Sequence, residues 1–210
     1  MQLRTLEKLG RTRLSKNFFL REFLHSEIAE IEGIANVPDN PEVAIAAGRG
    51  LCENILEPMQ SALGKISIRS AYRSSMINQI GNAKNYNCAS NQKNHGRHIW
   101  DIADRHGHIG ATACVVVNSF VDYFEATGDW TALAWWVHDN IPCYADMIFY
   151  PQLAAFNITW SAGPKSEQLI MSQVPNPHTG KKGLLTRTGW DNFTGDHSDI
   201  YKAWMTSLQV

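Results

Sequence analysis

From Pro41 onward apolar residues recur every four positions, at Val43, Ala47, Leu51, Ile55, Met59 and Leu63, which predicts one long helix with a single buried face. Asn40 suits the N-cap and Pro41 the first helical position. Pro58, inside the pattern, removes a hydrogen bond and bends the axis, and Gly64 ends the helix. Ile66-Ser67-Ile68-Arg69-Ser70 then alternates as a strand does. Upstream, Phe19, Phe23, Leu24 and Ile28 fall at helical spacing and predict a short amphipathic helix over residues 18–30, preceded by a polar arm, residues 1–17.

Downstream the pattern mixes. Residues 75–80 read as a short helix and 82–94, rich in Asn, Ser and Lys, as a long loop. A strand is expected at 99–103 and a helix over 111–126, although Val115-Val116-Val117 prefers β structure. Asp129 caps a helix reaching Val137. Strands follow at 147–150, 156–160 and 169–174, and Ser198 caps a last helix in which Tyr201, Trp204 and Leu208 share a face. This order predicts an α+β domain: a small antiparallel sheet, packed by the long N-terminal helix, with a C-terminal extension at 161–210. Strands 66–70, 99–103, 147–150 and 156–160 are expected in that one sheet.

Composition narrows the function. The chain has 210 residues, enough for one packed domain and few for two. Nineteen Lys and Arg against twenty Asp and Glu leave a net charge of −1, which gives no electrostatic reason to expect nucleic acid or an acidic membrane as partner. No apolar run approaches the ~20 residues of a membrane helix. Residues 1–16 are basic but lack an apolar signal core, so the expectation is no signal peptide and synthesis in a host cytoplasm. Cys52, Cys88, Cys114 and Cys143 are too scattered for a cysteine zinc cluster and read as buried thiols rather than a disulfide framework.

The densest chemistry is Asn94-His95-Gly96-Arg97-His98-Ile99-Trp100-Asp101-Ile102-Ala103-Asp104, followed by His106 and His108. Imidazole and carboxylate together suit zinc. The same residues also suit a polar loop whose histidines are exposed or cap backbone groups. Near the C-terminus, Trp190, Phe193, Tyr201 and Trp204 read as a small core under the last helix or as an aromatic binding patch.

Several segments, in order, resemble the hedgehog-like zinc peptidase fold, the group of bacterial D-Ala-D-Ala carboxypeptidases and phage endolysins. Phe18-Phe19-Leu20-Arg21-Glu22-Phe23-Leu24 is similar to its opening helix, and Ile68-Arg69-Ser70-Ala71-Tyr72-Arg73-Ser74 to its I-x-S-G-Y-R-S. The segment from His95 to Asp101 lies where the family has S-x-H-x-x-G-x-A-x-D, and Phe156-Asn157-Ile158-Thr159-Trp160 where it has F-V-H-V-D. The resemblance spans residues 14–160 and implies a peptidoglycan stem-peptide peptidase with a zinc cofactor. His95 and Asp101 would be metal ligands, with His98 or His138 as the third, and Arg73 would bind the substrate carboxylate. The chain departs from the pattern: aligned on Asp101, Asn94 rather than His95 takes the ligand position, Asn157 replaces the later His, and Thr159 replaces the acidic residue. Two roles stay open, an active cell-wall hydrolase and a catalytically silent relative that binds the wall or other virion proteins of a phage tail or baseplate.

Overall fold

The computed structural model describes residues 3–164 and 167–208. The expected polar arm contains a helix, α1 (Leu3–Gly10), and then runs inward, where Leu14 and Phe18 are buried. Glu57 ties this segment down, accepting from Ser15 Oγ at 2.8 Å and from the Asn17 side-chain amide at 2.7 Å. The helix expected over 18–30 is two, α2 (Leu20–Phe23) and α3 (Glu27–Glu32), because Ser26 interrupts the run and caps the second through the Ala29 N–H.

The long helix is also segmented: α4 (Pro41–Leu51), a π-helical turn (Cys52–Leu56) and α5 (Glu57–Leu63). The wide turn directly precedes Pro58, where a proline ring would otherwise crowd the carbonyl one turn back. Gly64 ends α5 with φ 82°, a conformation that costs glycine nothing. The inner stripe of Ala44, Ala47, Leu51, Ile55, Met59 and Leu63 is buried throughout.

One six-stranded sheet organises the rest, in the order β1-β2-β4-β3-β5-β6. Its strands are β1 (Ile66–Ser70), β2 (Gly110–Val117), β3 (Asp146–Phe149), β4 (Phe156–Ser161), β5 (Leu169–Ser172) and β6 (Gly183–Arg187). All neighbours are antiparallel except β3 and β5, so the sheet is mixed rather than purely antiparallel. Helix α4 lies against β2 and β4, close enough that a side chain on Gly50 would overlap the Trp160 ring.

Two element expectations are corrected. Residues 99–103 are turns, because Gly96 (φ 64°) donates its N–H toward Ile99 O and Ile102 O and curls the segment on itself. Its apolar residues Ile99 and Trp100 are core anchors instead. The strand lies later, at β2, where a helix was expected over 111–126. The β-branched run there decided the outcome, and the helix begins only after it, as a 3-10 turn (Asn118–Phe120) leading into α8 (Val121–Thr127). Between β1 and β2 come α6 (Ser75–Ala83) and the single turn α7 (Asn91–Asn94), and α9 (Thr131–Asn140) precedes β3. Asp129 Oδ1 accepts from the Thr131 N–H at 2.9 Å, so it serves the start of α9 as expected.

The strands segregate side chains by parity. Ala113 and Val115 of β2, Phe156 and Ile158 of β4, and Met147 and Phe149 of β3 face the helices and are fully buried. The opposite face is polar, with Thr112, Thr159 and Asp146 in one row and Cys114, Asn157 and Ile148 in the next. Beyond residue 160, β5 and β6 widen the same sheet. Helix α10 (Ser198–Ser207) packs on α9 and buries Trp204 edge-on to Phe120 at 4.7 Å.

Candidate functional site

The polar sheet face floors a cleft of about 1080 Å³, ample for several residues of peptide. Cys114, Asn157 and Ile148 stand side by side on its floor, and Arg69, Arg73 and Arg97 rise around it. One wall is residues 85–98, secured by side-chain amides, those of Asn78 and Asn94 buried. Asn78 donates to Ala89 O at 3.0 Å and to Asn91 Oδ1 at 2.8 Å, Asn94 donates to Asn78 Oδ1 at 2.8 Å, and Asn82 donates to Cys88 O at 2.7 Å. These bonds explain how an Asn-rich stretch that reads as a loop holds one conformation.

Arg73 and His98 tie the two motif segments together, since the Arg73 N–H donates to His98 O at 2.8 Å. The guanidinium of Arg73 lines the cleft and donates through Nη1 to Cys88 Sγ at 2.9 Å. Its Nε is buried with no partner, and no carboxylate pairs with it among the described residues. Burial therefore pulls its pKa below the usual arginine value. Arg97 is different: its Nη1 and Nη2 fork onto Asp146 at 2.7 and 2.6 Å. Asp146 also accepts from Thr159 Oγ1 at 3.0 Å. An acidic group thus stands beside Thr159 after all, supplied by the neighbouring strand but neutralised by Arg97. Burial pushes the Cys114 thiol up to about 11, against the pull of Arg69 and Arg73.

The expected metal ligands do not converge here. Asp101 Oδ2 accepts from the backbone N–H groups of Asp39 at 2.8 Å and Asn40 at 3.2 Å, fastening the loop that enters α4. One oxygen of that carboxylate holds a helix start while Oδ1 is buried with no partner among the described residues, and neither Asp101 nor His95 lines the cleft. His98 does line it, fully enclosed, but both ring nitrogens are taken. Nδ1 donates to Ala71 O at 2.7 Å, and Nε2 accepts from the Asn157 amide at 3.2 Å. Burial, reinforced by the Arg73 charge, holds its pKa well below 6.5, so the ring is neutral. Asn157, standing where the family's later His would be, thus saturates the lone pair that a metal would need. The zinc site implied by the resemblance does not fit these residues.

A three-donor group forms elsewhere. Among the described residues, His138, Asp139 and His197 bring ligand atoms within 4.8 Å of one another and could hold a metal ion. None of the three lines the cleft. His138 meets Tyr144 Oη at 2.5 Å and Phe193 O at 2.8 Å, while His197 meets Asp139 at 2.7 Å and stacks on Trp135 at 3.9 Å. As it stands the group clasps the approach to α10 onto α9. The aromatic residues at the C-terminus divide accordingly. Trp204 is core and Phe193 packs on His138, while Trp190 is exposed beneath the Arg187 guanidinium at 5.7 Å.

Arg73 lines the cleft as its motif led one to expect, but without the His95 and Asp101 expected beside it, and sequence reasoning missed Arg69, Arg97 and the Asp146 that pairs with Arg97. Arg97 lay within the segment singled out for its histidines, whereas nothing local marks Asp146, which lies beneath the cleft lining and acts there through its ion pair with Arg97. No helix of the described residues is long and apolar enough to cross a membrane. No family model, curated protein or solved structure matches the chain.

Proposed function

We propose that this chain is a catalytically silent relative of the zinc peptidases, one that binds the acidic end of a peptidoglycan stem peptide in the Arg73 cleft as part of a phage tail or baseplate. The observation that carries this reading is the Arg73 guanidinium, largely withdrawn from water, lining a wide cleft and without a carboxylate partner among the described residues. A cation so placed favours an arriving anion, because its desolvation cost is already met in the free protein. The silence follows from side-chain chemistry: Asn157 and His98 bond each other, Asp101 serves a helix start, and Arg97 neutralises Asp146. The peptidase alternative would take zinc at His138, Asp139 and His197, but those donors lie outside the cleft that holds Arg73.

The test pairs binding with turnover. Calorimetric titration with a synthetic stem peptide ending in D-Ala-D-Ala is expected to show saturable binding that Arg73→Gln removes. Incubation of the same peptide with the protein, with and without added zinc, is expected to release no D-Ala. Release of D-Ala that a chelator abolishes would overturn the silent reading.

A further inference from the structure

Among the described residues Arg69 is, like Arg73, a cation of the cleft without a carboxylate partner. It occupies the variable position of the I-x-S-G-Y-R-S-like segment, so no motif requires it. In β1, Ile68 pairs with Val115 and Ser70 with Cys114, which leaves Arg69 as the extra residue of a β-bulge. A bulge interrupts the ladder, bends the strand and re-aims one side chain. Alternation from Ile66 and Ile68, which pack on the core, already puts Arg69 on the cleft face, and the bulge brings Ser70 onto that face as well; Arg69 lines the cleft together with Arg73, and both charges act on the Cys114 thiol. Lys93, in the wall formed by residues 85–98, lines the same cleft. Among the described residues none of Arg69, Arg73 and Lys93 has a carboxylate within 4.0 Å, and the lining contains one acidic side chain, Glu27. A ligand with a single carboxylate would satisfy Arg73 and leave the remaining positive charge unanswered.

We infer that Arg69 forms a second anion subsite, so that the cleft selects a peptide bearing two acidic groups, a terminal carboxylate at Arg73 and a side-chain carboxylate at Arg69. This rests on the binding role proposed above. Residues 69 and 73 are separated by four residues of chain, at most ~14 Å when extended. Acidic groups three or four residues apart on an extended peptide span a similar length. A peptide suits the site better than a compact anion because the cleft is wide, about 1080 Å³, and its floor also carries the Asn157 amide and the apolar Ile148.

The experiment compares two tetrapeptides with free C-terminal carboxylates, one carrying Glu at its first position and the other Gln, by calorimetric titration. Wild-type protein is expected to bind the Glu peptide roughly threefold to tenfold more tightly, a preference that shrinks as salt is raised. Arg69→Gln should bind both peptides equally, Arg69→Lys should keep part of the preference, and Arg73→Gln should weaken both peptides alike. Arg69 is exposed, so the two Arg69 variants should melt with the wild type. Equal binding of the two peptides by wild-type protein overturns the second subsite while leaving the cleft reading intact. No binding of either peptide overturns both. Inorganic phosphate competing at concentrations as low as the Glu peptide overturns the choice of a peptide ligand.

Discussion

Arg73→Met separates what the cleft is for from what keeps the chain folded. The guanidinium is pulled from water, its Nε has no partner, and its one side-chain bond goes to a thiol, a weak acceptor. Leaving one buried polar group unsatisfied costs roughly 1–3 kcal/mol. Methionine keeps most of the stem's packing and removes that cost, while forfeiting the Cys88 contact and some polar solvation at the cleft mouth. The net expectation is a gain of about 1 kcal/mol, a rise in melting temperature of about 2–4 °C for a chain of this size. Urea titration of wild type and variant side by side should show a higher midpoint with an unchanged slope. The same variant should lose binding of any peptide carboxylate. A residue held against its own stability for the sake of a ligand behaves this way. Should Arg73→Met instead destabilise the fold by ~1 kcal/mol or more, the guanidinium is a structural member and not a cation held ready for a ligand.

Three further outcomes follow from the packing. Asp101→Ala, which frees the N–H groups of Asp39 and Asn40, should cost about 1–2 kcal/mol in urea titration. Gly50→Ala should destabilise by roughly 1–3 kcal/mol despite alanine's better helix propensity, because the methyl overlaps the Trp160 ring, and Trp160→Leu added to it should recover part of the loss. The third concerns pH. His98 is held neutral in the fold, with its pKa well below the 6.5 of a free ring, so the unfolded chain binds the extra proton first. Stability should be fully present above about pH 6.5 and decline as pH falls below it. His98→Gln should flatten that limb in melts recorded between pH 7 and pH 5.

The helix from Pro41 and strands 66–70, 147–150 and 156–160 were legible because each is a local signal: a four-residue repeat, a cap, or a short apolar run. Residues 99–103 misled because Ile99 and Trp100 are apolar for burial beneath a loop, and composition does not distinguish an anchor from a strand. The helix expected over 111–126 failed on three consecutive valines whose β preference, in a strand paired on both edges, outweighed helical spacing. For the site, Arg73 came from its motif. The cleft's charge balance was hidden because Arg97 meets Asp146 and His98 meets Asn157 across 49 and 59 residues of chain. The parallel pairing of β3 with β5 was equally out of reach, since it reports a connection around the sheet rather than any local pattern.

That strand order bears on how far the first 160 residues can be treated as a unit. A chain cut after Ser161 would end with β3 at the rim of the sheet, its backbone donors and acceptors bare where β5 had covered them. Phe120 would face the space vacated by Trp204, and Trp130 would lose the Pro175 carbonyl that accepts from its indole. An unpaired strand carrying Met147 and Phe149 invites pairing with a second chain. The boundary drawn by motif likeness is therefore not a folding boundary. Grafting the cleft into another protein, or exchanging it between chains, requires carrying the last fifty residues along as sheet and not as tail.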